Sequence, residues 1–243
     1  MVKTSEAMEN HNILDSIKSV FVPIHREGYP YIAIFAVVTL LLMWAWAPLG
    51  LIAFVLTVWC VYFFRDPDRT TPVREGLVIS PADGLVVSIR PAPPPPELEM
   101  GTDPRMRIAI FMNVFDCHVN RSPCEGTITK KVYSPGLFLN ATLDKASDDN
   151  ERMALRMSTV TGKDVAFVQI AGLVARRIVC TAAPGDMLKT GERIGIIRFG
   201  SRVDVYLDAG MSPMVVVGQK AVAGETILAD EKAVDPPQLG EVR

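Results

Sequence analysis

Three short segments carry the residue types from which acyl-transfer chemistry is assembled. Gly200-Ser201 lies between two strand-like runs, Ile194 to Phe199 and Val203 to Leu207, so a hydroxyl follows a residue with no side chain. His118 lies within Asn113-Val114-Phe115-Asp116-Cys117-His118-Val119-Asn120-Arg121-Ser122-Pro123. The other two histidines, His11 and His25, precede a long apolar stretch, which leaves His118 as the one imidazole in the body of the chain. Ser80-Pro81-Ala82-Asp83-Gly84 sets a carboxylate directly after a third strand-like run. A hydroxyl, an imidazole and a carboxylate are the parts of a base-assisted attack on a carbonyl. Taken singly, each segment has a plainer meaning: a kink or bulge at the Gly-Ser step, a structural histidine, and a Pro/Asp-Gly turn.

Other chemistries lack their parts. There is no G-x-x-x-x-G-K-[ST] or G-x-G-x-x-G, so phosphate-loop and Rossmann nucleotide sites are excluded, and there is no G-x-S-x-G elbow. Cys60, Cys117, Cys124 and Cys180 form no C-x-x-C pair and read as reduced, buried, small apolar residues, as suits a cytoplasm-facing domain. With three histidines in all, a His-rich or Cys₂His₂ zinc site has nothing to be built from, and no metal is expected. The 25 basic and 27 acidic residues give a net charge of −2, which supplies no field for nucleic acid. At 49% hydrophobic and 21% charged, the 243-residue chain is not disordered.

The mean hydropathy of +0.24 has a local cause. From Gly28 to Phe64 there is no Asp, Glu, Lys, Arg or His. Residues 31–64 as one helix would measure about 51 Å, too long for a hydrocarbon layer of about 30 Å. Pro48-Leu49-Gly50 divides the stretch near its middle, so a membrane-embedded helical hairpin, spanning or re-entrant, is expected, after a polar lead-in (1–30) with a helix near Ile13 to Val22. Lys18 and Arg26 on one side, and Arg65, Arg69 and Arg74 on the other, would keep both ends on the cytoplasmic face, and Arg65, Arg69 and Arg74 would meet anionic lipid.

Residues 65–243 should form the working domain, mostly β. Short runs at 77–79, 85–87, 107–112, 126–132, 165–170, 177–180, 194–199, 203–207 and 214–217 are punctuated by Gly, Pro, Asn or Asp. One helix is expected over Asn150 to Met157, capped by Asp148 or Asp149. Pro91, Pro93 to Pro96 and Pro104 mark an exposed loop, and the tail from Asp230 is polar. A short echo recurs at an offset of 33: Gly185-Asp-x₄-Gly191-Glu192-x-Ile194 and Gly218-Gln-x₄-Gly224-Glu225-x-Ile227. Both copies read as strand, glycine turn, strand. They resemble the turns of biotinyl/lipoyl-type β-sandwich modules, although neither offers a carrier lysine.

Together the segments match a family. Phe63-Phe64-Arg65-Asp66-Pro67 with Arg69, Ser80 to Gly84, Phe111-Met112-Asn113 with Asp116 and His118 to Arg121, Asn150-Glu151-Arg152, Gln169 to Gly172 with Ala175 to Ile178, and Arg198 to Tyr206 occur in order. Over residues 15–228 the chain resembles the short, prokaryotic-type phosphatidylserine decarboxylases.

The resemblance implies a mostly β (α+β) fold with a sandwich- or barrel-like catalytic domain behind a membrane hairpin. It implies a proenzyme that cuts itself between Gly200 and Ser201, the serine becoming a covalent pyruvoyl group. His118 would be the base. Asp83 matches the family's carboxylate, with Asp116 as its competitor if that segment is extended. Such a group would accept the amine of phosphatidylserine and the electrons left by CO₂, giving phosphatidylethanolamine. A related serine lipid such as archaetidylserine is the alternative substrate, and a non-catalytic anchored β-domain the alternative role. Arg121, Asn113, Asn140 and Arg152 are headgroup candidates, and Phe111, Met112, Val114 and Phe115 form an apolar lip or pack in the core. Longer members carry a second histidine where this chain has Arg121, so His118 would serve both stages. The two fragments would remain as a heterodimer, or a higher oligomer, at the cell membrane with the catalytic domain facing the cytoplasm.

Overall fold

The computed structural model describes residues 22–136, 150–172, 177–198, 200–233 and 240. The expected helix near Ile13 to Val22 and its flank Lys18, the cap candidates Asp148 and Asp149, and Asn140 lie outside the described residues, Val22 excepted. The chain divides into two compact units between Asp68 and Arg69.

The first unit is a pair of helices, α1 (Tyr29–Ala45) and α2 (Ala47–Phe63). The break falls at Trp46, whose extended φ of −160° and ψ of 105° interrupt the helix two residues before Pro48. Pro48 instead occupies the first turn of α2, where a missing N–H costs nothing. The helices touch closely. Thr39 Oγ1 and Thr57 Oγ1 share a 2.8 Å hydrogen bond, and a Cβ at Gly50 would lie 2.5 Å from Met43 Cα. By length and composition one helix, Arg26–Ala45, can cross a bilayer, and Ala47–Phe63 is a shorter apolar helix.

The second unit is built of strands: β1 (Leu77–Ile79), β2 (Gly84–Ala92), β3 (Arg105–Met112), β4 (Val119–Arg121), β5 (Gly126–Ser134), β6 (Arg152–Thr159) and β7 (Asp164–Ala171). There follow β8 (Ile178–Cys180), β9 (Met187–Leu188), β10 (Arg193–Ile197), β11 (Ser201–Tyr206), β12 (Ser212–Pro213), β13 (Lys220–Ala221) and β14 (Ile227–Asp230). Eight of them form one curled sheet in the order β13-β2-β3-β11-β7-β6-β5-β9, so the domain is mostly β, as the sequence predicts. Two three-stranded sheets, β1-β14-β12 and β4-β10-β8, complete it.

Period-two alternation decides the faces of the large sheet. Met153, Leu155 and Met157 of β6 join Val165 and Phe167 of β7, Ile108, Ile110 and Met112 of β3, and Val203 and Val205 of β11 in the main core. Ala154, Ala166, Val168, Ile170 and Tyr206 face the other way, under Leu98 and Met100.

Three expectations are corrected. The helix over Asn150 to Met157 is strand β6: Met, Ala, Leu and Arg favour helix intrinsically. Pairing of Arg152–Ser158 with β7 and burial on both faces override that preference. Residues 214–217 are not a strand; the edge strand is Ser212–Pro213, and the chain then turns at Val217-Gly218. Pro91 is not in the proline loop but in β2, opposite Met106.

Two flanking arginines expected to meet lipid are held by carboxylates of their own unit. Arg69 Nη2 donates to Asp83 Oδ2 at 2.8 Å, and Arg74 pairs with Asp230. The Arg74 hydrogen bond holds the Asp230 carboxyl below the ordinary carboxylate range, against an opposing effect of burial. A depressed pKa contributes stability that is present above about pH 4 and lost as pH falls through the folded-state value. Asp230→Asn should therefore lower the thermal midpoint at pH 7, by no more than about 1 kcal/mol of stability. The two midpoints should converge in acid; a gap that persists at pH 2 would contradict this origin.

Candidate active site

Ser201 opens β11, an interior strand with β3 on one side and β7 on the other. It pairs with Met112 and with Ala171. Alternation sends Ser201, Val203 and Val205 to the main-core face, while Arg202, Asp204 and Tyr206 take the other. The serine is wholly buried. Its hydroxyl contacts Met112 Sδ at 3.9 Å, a weak acceptor that leaves the oxygen's nucleophilic lone pairs uncommitted. Gly200 has φ of +61°, the left-handed region that a glycine enters without steric cost, and open space lies where a Cβ would be.

Around Met112 runs a buried polar chain. Asn120 Nδ2 donates to Met112 Sδ at 3.7 Å, and Gln169 Nε2 donates to Asn120 Oδ1 at 2.8 Å. Asn120 and Gln169 both have zero exposure. The sequence marks neither by role. The signal was a lone amide inside the apolar run Val165 to Ile170, which at a buried position requires a partner.

His118 enters from the loop between β3 and β4 and is fully buried. Its main-chain carbonyl accepts from Ile197 N–H at 3.3 Å, which ties it to the end of β10, four residues before Ser201. Its ring Nδ1 lies 3.0 Å from the carbonyl oxygen of Asp116. A carbonyl only accepts, so Nδ1 carries the proton of the neutral ring and Nε2 is left as the basic nitrogen.

The competing carboxylate is not on the ring. Asn113 to Asp116 forms a turn rather than an extended segment: Asp116 N–H donates to Asn113 O, and Asp116 Oδ2 accepts from Asn113 N–H. Asp116 thus meets His118 through its main chain, with its carboxylate spent inside the turn. Asp83 sits in the Ser80–Asp83 turn, which Pro81 O fastens to Arg121 N–H. Asp83 Oδ1 accepts from Ala223 N–H and Oδ2 from Arg69, so its negative charge is fixed in place.

The remaining candidates separate. Met112 is core. Val114 and Phe115, 36% and 60% exposed, stand out from the turn, and Phe111 is half-buried. Asn113 Oδ1 accepts from Phe115 N–H and so shapes that turn. Arg121 is buried and donates to Gly191 O at 2.9 Å. Arg152 lies on the far face of the sheet from Ser201, paired with Glu97 at 2.9 Å beside a cavity of about 480 Å³ walled by Pro93 to Pro96. Asn140 falls outside the described residues.

Behind the serine, the far face holds a buried ion cluster. Arg202 grips Asp204 with two bonds of 2.6 and 2.7 Å, and Arg107 approaches the same carboxylate at 3.7 Å. Burial pushes the neighbouring Tyr206 hydroxyl up to about 12. The Arg202–Asp204 bonds lie within β11, the strand that bears Ser201, and Arg107 reaches the same carboxylate from β3.

The whole arrangement matches known proteins along most of its length. The profile of the phosphatidylserine decarboxylase family matches residues 56–229. A protein of Paramagnetospirillum magneticum is 57% identical over 226 residues, covering 93% of this chain and 94% of its own. One of Beijerinckia indica is 60% identical over 225 residues, covering 93% and 97%. One of Cereibacter sphaeroides is 57% identical over 230 residues, covering 95% and 99%. Each of the three is named phosphatidylserine decarboxylase proenzyme.

Proposed function

Because the chain belongs to the phosphatidylserine decarboxylase family and is a decarboxylase, we propose that it acts on phosphatidylserine at a group made from its own Ser201. The observation that carries this reading is the state of that serine. It is fully buried and weakly hydrogen-bonded, and it follows a glycine in the left-handed region. Those are the requirements for a hydroxyl to turn on the preceding carbonyl.

The residues fit a pyruvoyl group. Its precursor must be a serine preceded by a residue that leaves the carbonyl approachable, and Gly200 has open space on its Cβ side. Self-processing begins when Nε2 of His118 takes the Ser201 proton and Oγ attacks the Gly200 carbonyl carbon. The C–N bond breaks, the amide nitrogen takes a proton, and an ester replaces the amide. Removal of the Ser201 Cα proton expels the Gly200 carboxylate and leaves a dehydroalanine. Water then hydrolyses the dehydroalanine, by way of its imine tautomer, releasing ammonia and leaving a ketone carbon at position 201. The chain is divided into residues 1–200 and 201–243.

Once formed, the pyruvoyl group supplies an electrophilic carbonyl and an electron sink for decarboxylation. His118, with Nδ1 held by Asp116 O, is the group that delivers a proton to the substrate carbon. Asp83 is the carboxylate of the proposed site, held in place by Arg69 and by Ala223 N–H. Met112 and Ala171 exclude water beside residue 201. Val114 and Phe115, exposed on the turn that leads to His118, touch the acyl chains. The apolar pair α1 and α2 holds the enzyme at the cell membrane, with the catalytic unit on the cytoplasmic side, where the diacyl substrate is found.

The test joins two readouts on the purified chain in lipid. Mass spectrometry should find two fragments, the smaller starting at residue 201 with a blocked, hydroxylamine-reactive N-terminus. Phosphatidylserine should be converted to phosphatidylethanolamine with release of CO₂. An intact chain with no electrophile at position 201 would end the proposal.

A further inference from the structure

The internal echo of the sequence has a structural counterpart beside the Asp83 turn, to which Ala223 N–H and Arg69 donate. Both copies fold as strand, glycine turn, strand: β9 to β10 around Gly191 and β13 to β14 around Gly224, each glycine at φ of +77°. The two turns close on one short segment. A Cβ at Gly191 would lie 2.2 Å from Thr71 Oγ1, and one at Gly224 would lie 2.9 Å from Arg121 Cδ and 3.4 Å from Arg69 Cβ. Glu225 Oε1 accepts from Thr70 N–H at 3.1 Å. Only residues without side chains let the turns come this close to Arg69, Thr71 and Arg121.

The product is an open groove of about 530 Å³ with Arg69, Thr71, Arg121, Lys189, Glu192 and Arg193 in its walls. Arg121 and Arg193 are register partners across β4 and β10, the first buried with its guanidinium on Gly191 O and the second exposed. Of the acidic groups, Asp83 faces Arg69, and one oxygen of Glu192 caps its own turn by accepting from Lys189 N–H at 2.9 Å. Arg69, Arg121, Lys189 and Arg193 stand against Asp83, Glu192 and Glu225, an excess of one positive charge, with a threonine hydroxyl beside them.

We propose that this groove binds a phosphoryl group, borne by a lipid headgroup or by free phosphate. Clustered guanidinium groups with a hydroxyl are matched to phosphate oxygens in charge and geometry. The walls of the groove come from β4, the β9–β10 turn and residues 69–71, and include neither His118 nor Ser201.

The test uses the full chain in detergent and follows its thermal midpoint as inorganic phosphate or dihexanoyl phosphatidylglycerol is added, against sodium chloride at matched ionic strength. The wild type should be stabilised by the anions beyond the chloride control. Charge reversal at two wall positions, Lys189→Glu with Arg193→Glu, should weaken the apparent affinity by on the order of tenfold or more. The midpoint without ligand checks that this variant folds. Stabilisation at lower concentrations of the soluble lipid than of phosphate would assign the groove to a headgroup, and equal potency would assign it to free phosphate. No stabilisation beyond chloride in the wild type, or full retention of it in the double variant, would overturn the proposal. Fragment formation at residue 201, followed on the same samples, reports separately on the decarboxylase reading.

Discussion

Ser201→Ala is expected to remain a single chain of 26.6 kDa, with no fragment beginning at residue 201 and decarboxylation at background. The expectation follows from the absence of any substitute nucleophile at that joint. The change removes one oxygen from a wholly buried position in the middle of a sheet. Six residue pairs join β11 to β3 and six join it to β7, and the deletion leaves all of them intact. The variant should therefore fold, and its circular dichroism and thermal midpoint should stay close to those of the uncut wild type. Ser201→Thr keeps the hydroxyl but adds a methyl where exposure is zero, so it should process slowly rather than not at all. Cleavage of the alanine variant at the same bond, judged by intact mass, would remove the mechanism.

The second large effect belongs to His118. His118→Ala should slow self-cleavage by about 10²–10⁴-fold, the usual worth of a positioned general base. Alanine alone would not separate chemistry from structure, because the ring also holds the Asn113–Asp116 turn through Asp116 O. His118→Asn makes the separation. Its amide N–H can donate to the same carbonyl, but it offers no base at neutral pH. If the imidazole is needed for proton transfer, the asparagine variant should fold like the wild type and still accumulate as precursor. Processing and turnover at wild-type rates in His118→Asn would refute the assignment, whatever the alanine variant does.

Much of this was legible in the residues, for identifiable reasons. Short β-branched or apolar runs at Val203 to Leu207 and Val165 to Ile170 marked two strands that the sheet pairs directly. The charge-free stretch from Gly28 to Phe64 announced paired helices, although the break lies at Trp46 rather than at the proline. What escaped depended on three-dimensional context. Arg152 to Met157 carries helix-forming residues, and only its neighbour β7 makes it a strand. That change also puts Arg152 on the far face of the sheet from Ser201, paired with Glu97. An extended segment would let the Asp116 carboxylate orient His118; the turn brings the Asp116 carbonyl to the ring instead. Asn120 and Gln169 meet across strands distant in sequence, and one chain read alone carries no sign of that partnership.

The setting of Ser201 has a consequence for the order of events in the life of this chain. The stretch after the scissile bond furnishes a sheet interior with β11, pairs β13 to β2, and supplies β12 and β14 to the sheet that contains β1. Such a piece is woven through the rest, not perched on it. If the chain is processed at Ser201 as proposed, scission must come after assembly is complete, and the two severed halves, though joined by no covalent link, should no more drift apart than two threads of one cloth. Synthesised apart, they would have no ready way to interlace.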